Sequence, residues 1–166
     1  MSEFLDALNQ KNVGHIPVWF MRQAGRYLPE YMKVKEGSSF RKMSHTPDIM
    51  ADITLQPLKR YDLDAAIMFS DILTCLEYMG APFEFTDHGP KLDSSGPEAL
   101  EGLSDLNVED LSFVRDGIKL INKELKEKPS IGFVGAPFTL ASYLIEGGTS
   151  REFVNTRRFA FNESKR

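Results

Sequence analysis

Three short apolar runs constrain the fold: Ile16-Pro17-Val18-Trp19-Phe20-Met21, Ala65-Ala66-Ile67-Met68-Phe69 and Ile131-Gly132-Phe133-Val134. Each has the length and continuous hydrophobicity of a buried strand. Stretches of helical periodicity separate them. Thr46-Pro47-Asp48 predicts an N-cap with proline at the first helical position, and Ile49, Met50, Ile53, Pro57, Leu58 and Tyr61 then recur at helical spacing. Pro57 predicts a kink, because it has no N–H to give the carbonyl of Ile53. The clearest helix spans 108–126. Asn107 caps it, Glu109 and Asp110 suit its positive end, and Lys123 and Lys126 suit its negative end. Leu111, Val114, Ile118, Ile121 and Leu125 form its buried stripe, and Pro129 follows. A helix over 138–146 stops at Gly147-Gly148, and another starts near 150–153. Phe83-Glu84-Phe85 and Lys91-Leu92, about a turn at 87–90, predict a hairpin appended to the main layer. Strand and helix alternate three times, the order of parallel strands joined by crossover helices.

Such α/β architectures bind ligands at the carboxyl edge of their strands. Arg22 and Arg26 follow the first run and Asp71 follows the second. Gly135-Ala136-Pro137 follows the third and leads to Tyr143 on the next helix. An Asp after a strand most often caps the following helix, and a basic run is most often a solvated loop. The coincidence of a cation pair, a carboxylate and a phenol on one rim favours a site. Charge distribution supports it: residues 22–42 hold six cations and two anions, a net +4 within a chain of net −4, so the remainder carries −8. A locally cationic segment on an anionic body suits an anionic ligand better than a general polyanion. Two guanidinium forks four residues apart, with Gly25 between them to permit tight backbone turns, suit carboxylates.

With 42% hydrophobic and 27% charged residues, the chain is expected to fold rather than form a disordered tail. No apolar run approaches the ~20 residues a bilayer requires, and no nucleic-acid partner is expected. The single Cys75 cannot form an internal disulfide and the N-terminus lacks a secretory pattern, so a cytoplasmic location is expected. Cys75 and Met79 are expected to fill core volume. His15, His45 and His88 are scattered through expected loops and form no metal-ligand pattern with Cys75. Gly132 and Gly135 lack the phosphate-loop spacing. No metal or nucleotide is specified.

The segment Pro17-Val18-Trp19-Phe20-Met21-Arg22-Gln23-Ala24-Gly25-Arg26-Tyr27-Leu28-Pro29-Glu30-Tyr31 resembles the N-terminal signature of the uroporphyrinogen decarboxylase family. Thr54-Leu55-Gln56-Pro57-Leu58-Lys59-Arg60, residues 64–73, Gly135-Ala136-Pro137-Phe138-Thr139-Leu140 and Glu146-Gly147-Gly148 extend the likeness over nearly the whole chain. The resemblance implies a distorted (β/α)8 TIM barrel, a homodimer, and cofactor-free removal of four acetate carboxyls from uroporphyrinogen III to give coproporphyrinogen III. It also implies that Arg22, Gln23, Ala24, Gly25 and Arg26 form a substrate-binding loop, that Asp71 faces the pyrrole N–H groups, and that Tyr143 borders the pocket. Lys35 stands where many members have arginine, and Leu76 where many have proline. A barrel of this kind takes ~250 residues, so the chain is expected to hold the first three or so β/α units plus the hairpin, as a truncated N-terminal part of one domain. Alone it is expected to be inactive. Two other readings stand beside this one: a noncatalytic porphyrinogen-binding or dimerising fragment, and a related corrinoid-linked zinc methyltransferase.

Overall fold

The computed structural model describes residues 2–86 and 88–163. In chain order its elements are α1 (Glu3–Leu8), α2 (Pro29–Glu36), α3 (Phe40–His45), α4 (Pro47–Arg60), β1 (Ala66–Ile67), α5 (Thr74–Tyr78), β2 (Phe83–Thr86), β3 (Gly89–Leu92), α6 (Glu98–Glu101), α7 (Ser112–Leu125), β4 (Ser130–Ile131), α8 (Pro137–Glu146) and α9 (Val154–Glu163). A 3₁₀ turn over Val108–Leu111 precedes α7. The architecture is mixed α/β with few, short strands. Two compact units divide the chain: Met1–Ser70 with Ser112–Phe133, and Asp71–Leu111 with Val134–Arg166.

The first unit is built on a parallel pair. β1 and β4 align Ala66 with Ser130 and Ile67 with Ile131. Beyond the strand ends, Ala66 N–H donates to Pro129 O and Met68 N–H to Ile131 O, both at 3.0 Å. Met50 and Ala51 of α4, Ile121 and Leu125 of α7, and Ala66 and Met68 form one buried cluster over this pair. Gly117 lets α4 and α7 approach, since a Cβ there would lie 2.4 Å from Met50 Sδ. Leu28, Tyr31, Met43 and Ile53 form a second cluster, with Phe69 packed against it. α4 is continuous through Pro57 to Arg60.

The second unit carries the expected hairpin, with β2 and β3 antiparallel and Phe83 opposite Leu92. Its expected turn includes Asp87, which lies outside the described residues. The hairpin is tied to the end of α8: Leu92 N–H donates to Gly147 O at 3.1 Å, and Lys91 bridges Gly148. Gly147 has φ 75°, and its N–H and that of Gly148 cap the Leu144 and Tyr143 carbonyls. A side chain at this left-handed helix stop would be strained, which is why glycine serves there. α9 begins at Val154, later than expected, because the Glu146 carboxylate sets its start by accepting from Thr156 N–H and Oγ1.

Three expectations need correction. Residues 16–21 form no strand: Ile16, Phe20 and Met21 are 85%, 60% and 74% exposed. The segment is extended and held at Val18, whose N–H donates to Asp64 Oδ2 at 2.7 Å and whose carbonyl accepts from Asp64 N–H at 2.9 Å. One reciprocal pair does not make a ladder, and no layer covers those side chains among the described residues. The third run likewise contributes only Ile131 to a strand, β4, with Val134 87% exposed. His45 is not in a loop; it closes α3 and stacks on Phe113 at a centroid distance of 4.4 Å.

Candidate functional site

Arg22 and Arg26 lie on the loop between the extended segment and α2, and both are exposed. Among the described residues no carboxylate pairs with either guanidinium. The nearest acid along the chain, Glu30, is occupied: Arg60 donates to it through Nε and Nη2 at 2.7 and 3.0 Å. That hydrogen-bonded fork holds Glu30 below the usual carboxylate range. Burial pushes the Tyr31 phenol up, while the charge of Arg26 pulls it the other way.

The loop owes its shape to side chains as well as to turns. Leu28 N–H donates to Gly25 O at 3.0 Å, and the Tyr27 hydroxyl donates to Gln23 O. Gln23 is only 2% exposed. Its Nε2 donates to Ala65 O at 2.9 Å, and its Oε1 accepts from Ile67 N–H at 3.1 Å. Gly25 does not have a positive φ, and a Cβ there would meet only Tyr27 Cδ1 at 3.7 Å. The freedom that Gly25 was expected to lend to tight turns is thus not drawn on at this backbone, which has room for a Cβ. Ala24 packs against the Leu28 cluster.

In the second unit, Asp71 lies three residues before α5. Its Oδ1 accepts from Leu73 N–H at 2.7 Å and its Oδ2 from Thr74 Oγ1 at 2.6 Å. These bonds form an Asx-type turn ahead of α5, whose N-cap is Leu73, rather than a helix cap, and they fix the carboxylate while leaving lone pairs on both oxygens. Tyr143, on α8, packs with Leu73, Leu76 and Leu144, and Cys75 joins the same cluster. Burial raises the Cys75 thiol, so it behaves as core filler. Leu76, at the position where proline was noted as common, is buried within α5. Asp71 and Tyr143 thus share one unit, while Arg22 to Arg26 belong to the other.

Two supporting residues had no assigned role in the sequence reading. Thr54, buried in α4, donates to Met50 O at 2.7 Å and accepts from Phe69 N–H at 2.9 Å, completing the strand that precedes Asp71. Its signal was a polar residue on the buried stripe of α4. Asp64 anchors Val18 and meets His15 Nε2 at 3.0 Å, while His15 Nδ1 lies 2.6 Å from Glu3. No spacing rule reveals that cluster. Among the described residues, no group of three His, Cys, Asp or Glu is placed to hold a metal ion, and no helix is long and apolar enough to cross a membrane.

Comparison with known proteins gives this geometry a context. Residues 1–166 match the family described as uroporphyrinogen decarboxylase (URO-D). The uroporphyrinogen decarboxylase of Thermodesulfovibrio yellowstonii is 48% identical over 169 residues, covering 96% of this chain and 48% of the relative. That of Streptomyces avermitilis is 47% identical over 165 residues, covering 98% of this chain and 46% of the relative. The chain therefore spans about half the length of these curated relatives. In fold, it is similar to a methyltransferase from Methanosarcina mazei, with a TM-score of 0.74 at 22% identity over 98% of this chain and 48% of the other. By the match over its whole length, the chain belongs to the uroporphyrinogen decarboxylase family.

Proposed function

We propose that the chain supplies the N-terminal part of a single (β/α)8 barrel domain that decarboxylates the four acetate side chains of uroporphyrinogen III to coproporphyrinogen III. The observation that carries this reading is the pair of exposed guanidiniums, unpaired with any carboxylate among the described residues, on a loop locked to β1 through Gln23. A tetrapyrrole with eight carboxylates is the kind of ligand such forks anchor. Ala24, Gly25 and Tyr143 are the further residues proposed to bind the substrate. The partners proposed for the complete protein are this substrate and a second copy of itself, in the cytoplasm.

Loss of CO₂ from an acetate arm leaves an electron pair that needs a sink. Protonation of the adjacent pyrrole carbon makes the ring that sink, so the substrate supplies its own electron acceptor. The Asp71 carboxylate accepts hydrogen bonds from pyrrole N–H groups and stabilises the cation as it develops. Its bonds from Leu73 N–H and Thr74 Oγ1 hold it in place without reorganisation. Arg22, a permanently charged guanidinium, binds carboxylate and does not donate the proton.

The test is a fusion of this chain to the remaining half of the Thermodesulfovibrio relative. Four-fold decarboxylation of uroporphyrinogen is expected, with Arg26→Ala raising KM more than it lowers kcat. A folded fusion that binds no uroporphyrinogen would refute the reading.

A further inference from the structure

Around β1, backbone partners serve one edge and side chains serve the other. On the β4 edge, Ala66 and Met68 donate to Pro129 and Ile131. The opposite edge exposes Ala65 O and Ile67 N–H, the acceptor and donor that a parallel neighbour would bond across from Ala66. No backbone group of residues 16–21 takes them. The Gln23 amide does, donating to Ala65 O and accepting from Ile67 N–H. Its orientation is fixed by its partners, since a reversed amide would set donor against donor and acceptor against acceptor. A carboxylate would place one oxygen against Ala65 O, and a shorter amide would not span both groups.

Gln23 is thus a peptide unit supplied by a side chain, buried between two exposed cations at Arg22 and Arg26. We propose that Gln23 is a positioning residue rather than a substrate ligand: its amide fastens the arginine loop to β1 and holds both guanidiniums in the arrangement that binds carboxylates. This rests on the anion-binding reading above. It adds that the loop's affinity is set by a buried residue that never touches the ligand.

The experiment titrates the 166-residue chain with uroporphyrin, the stable oxidised octacarboxylate, by fluorescence, with circular dichroism to verify folding. Gln23→Met, which removes both bonds, is measured alone and in an Arg22→Ala/Arg26→Ala background. In the native background, affinity is expected to fall about tenfold, the scale of an unsatisfied buried pair. In the double-alanine background it is expected to change less than about twofold, because the two sites act as one. An equal loss in both backgrounds, or no loss in the first, overturns the positioning role. If the double-alanine change itself leaves affinity intact, the anion-binding reading falls with it, which separates the two failures.

Should Gln23→Met not fold, Gln23→Glu provides the second arm. A protonated carboxyl can donate to Ala65 O and accept from Ile67 N–H, and an ionised one cannot. Affinity relative to the native chain at the same pH is expected to recover near about pH 5 and fall by about pH 8, since burial raises a carboxyl pKa. Failure of both variants to fold at any pH would overturn the proposal, because Gln23 would then hold the fold and not the loop.

Discussion

Because Asp71 accepts from Leu73 N–H and Thr74 Oγ1 at 2.7 and 2.6 Å, its substitutions separate geometry from charge. Asn at this position keeps an acceptor for Leu73 and an amide for the Thr74 hydroxyl. Asp71→Asn is therefore expected to leave thermal stability nearly unchanged while lowering kcat of the completed enzyme by more than it weakens binding. Asp71→Ala loses both hydrogen bonds as well and is expected to cost about 1–3 kcal/mol of stability. If the Asn variant turned over normally, the electrostatic role of Asp71 would be wrong. Gly25 permits a similar separation. With no positive φ and room for a Cβ, Gly25→Ala is expected to change folding stability by less than about 0.5 kcal/mol in a denaturant titration. A larger loss would mean that the loop backbone does need glycine.

At the scale of elements, two packing arrangements give opposite kinds of prediction. Where α7 crosses α4, Gly117 faces the fully buried Met50, so Gly117→Val overpacks the contact and is expected to destabilise the chain by about 1–3 kcal/mol. Unaltered stability there would refute the tight crossing. α1 is held differently. It has no buried residue, and its Glu3 reaches His15, which also meets Asp64. The hydrogen bond to Asp64, with the charges of Asp64 and Glu3, raises the pKa of His15 above its ordinary 6.5. A raised pKa stabilises the fold where histidine is charged in both states, below 6.5, and that contribution is lost as pH rises through the folded value. Glu3 and Asp64 must also stay ionised, and hydrogen bonding from Val18 N–H keeps Asp64 below the usual range. The Tm difference between the native chain and His15→Ala is therefore expected to be largest below pH 6.5 and to shrink as pH rises above it. A difference that grew with pH would contradict it. Helices were the most legible elements in the sequence: the Pro47 start acts through proline's own fixed φ, and the Asn107 cap and the Gly147 stop through bonds between near neighbours. Strands were least legible, because Ile16–Met21 has strand composition but lacks the partner backbone that makes a ladder.

For the whole chain, the charge arithmetic identified the cationic segment, and the structure gives it a physical form in the Gln23-anchored loop. What the sequence could not convey was division of labour within the Arg22–Arg26 motif. Arg22 and Arg26 are exposed, Gln23 is spent on the backbone of β1, and Gly25 is dispensable to the turn. Those differences depend on contacts more than forty residues away, at Ala65 and Ile67, which local spacing does not encode. Asp71 and Tyr143 were legible as site candidates from their positions after β1 and within α8. A helix cap was the plainer expectation for Asp71, but α5 has Leu73 as its N-cap, and Asp71 instead bonds Leu73 N–H and Thr74 Oγ1 ahead of the helix. The central claim is that the paired arginines bind a polycarboxylate. Its most direct measurement is the uroporphyrin dissociation constant of the chain beside that of Arg22→Ala/Arg26→Ala, at low and high salt. Losing two charge-assisted forks is expected to weaken binding by at least about tenfold at low salt, with a smaller difference at high salt. Equal dissociation constants for the two proteins at low salt would contradict the account.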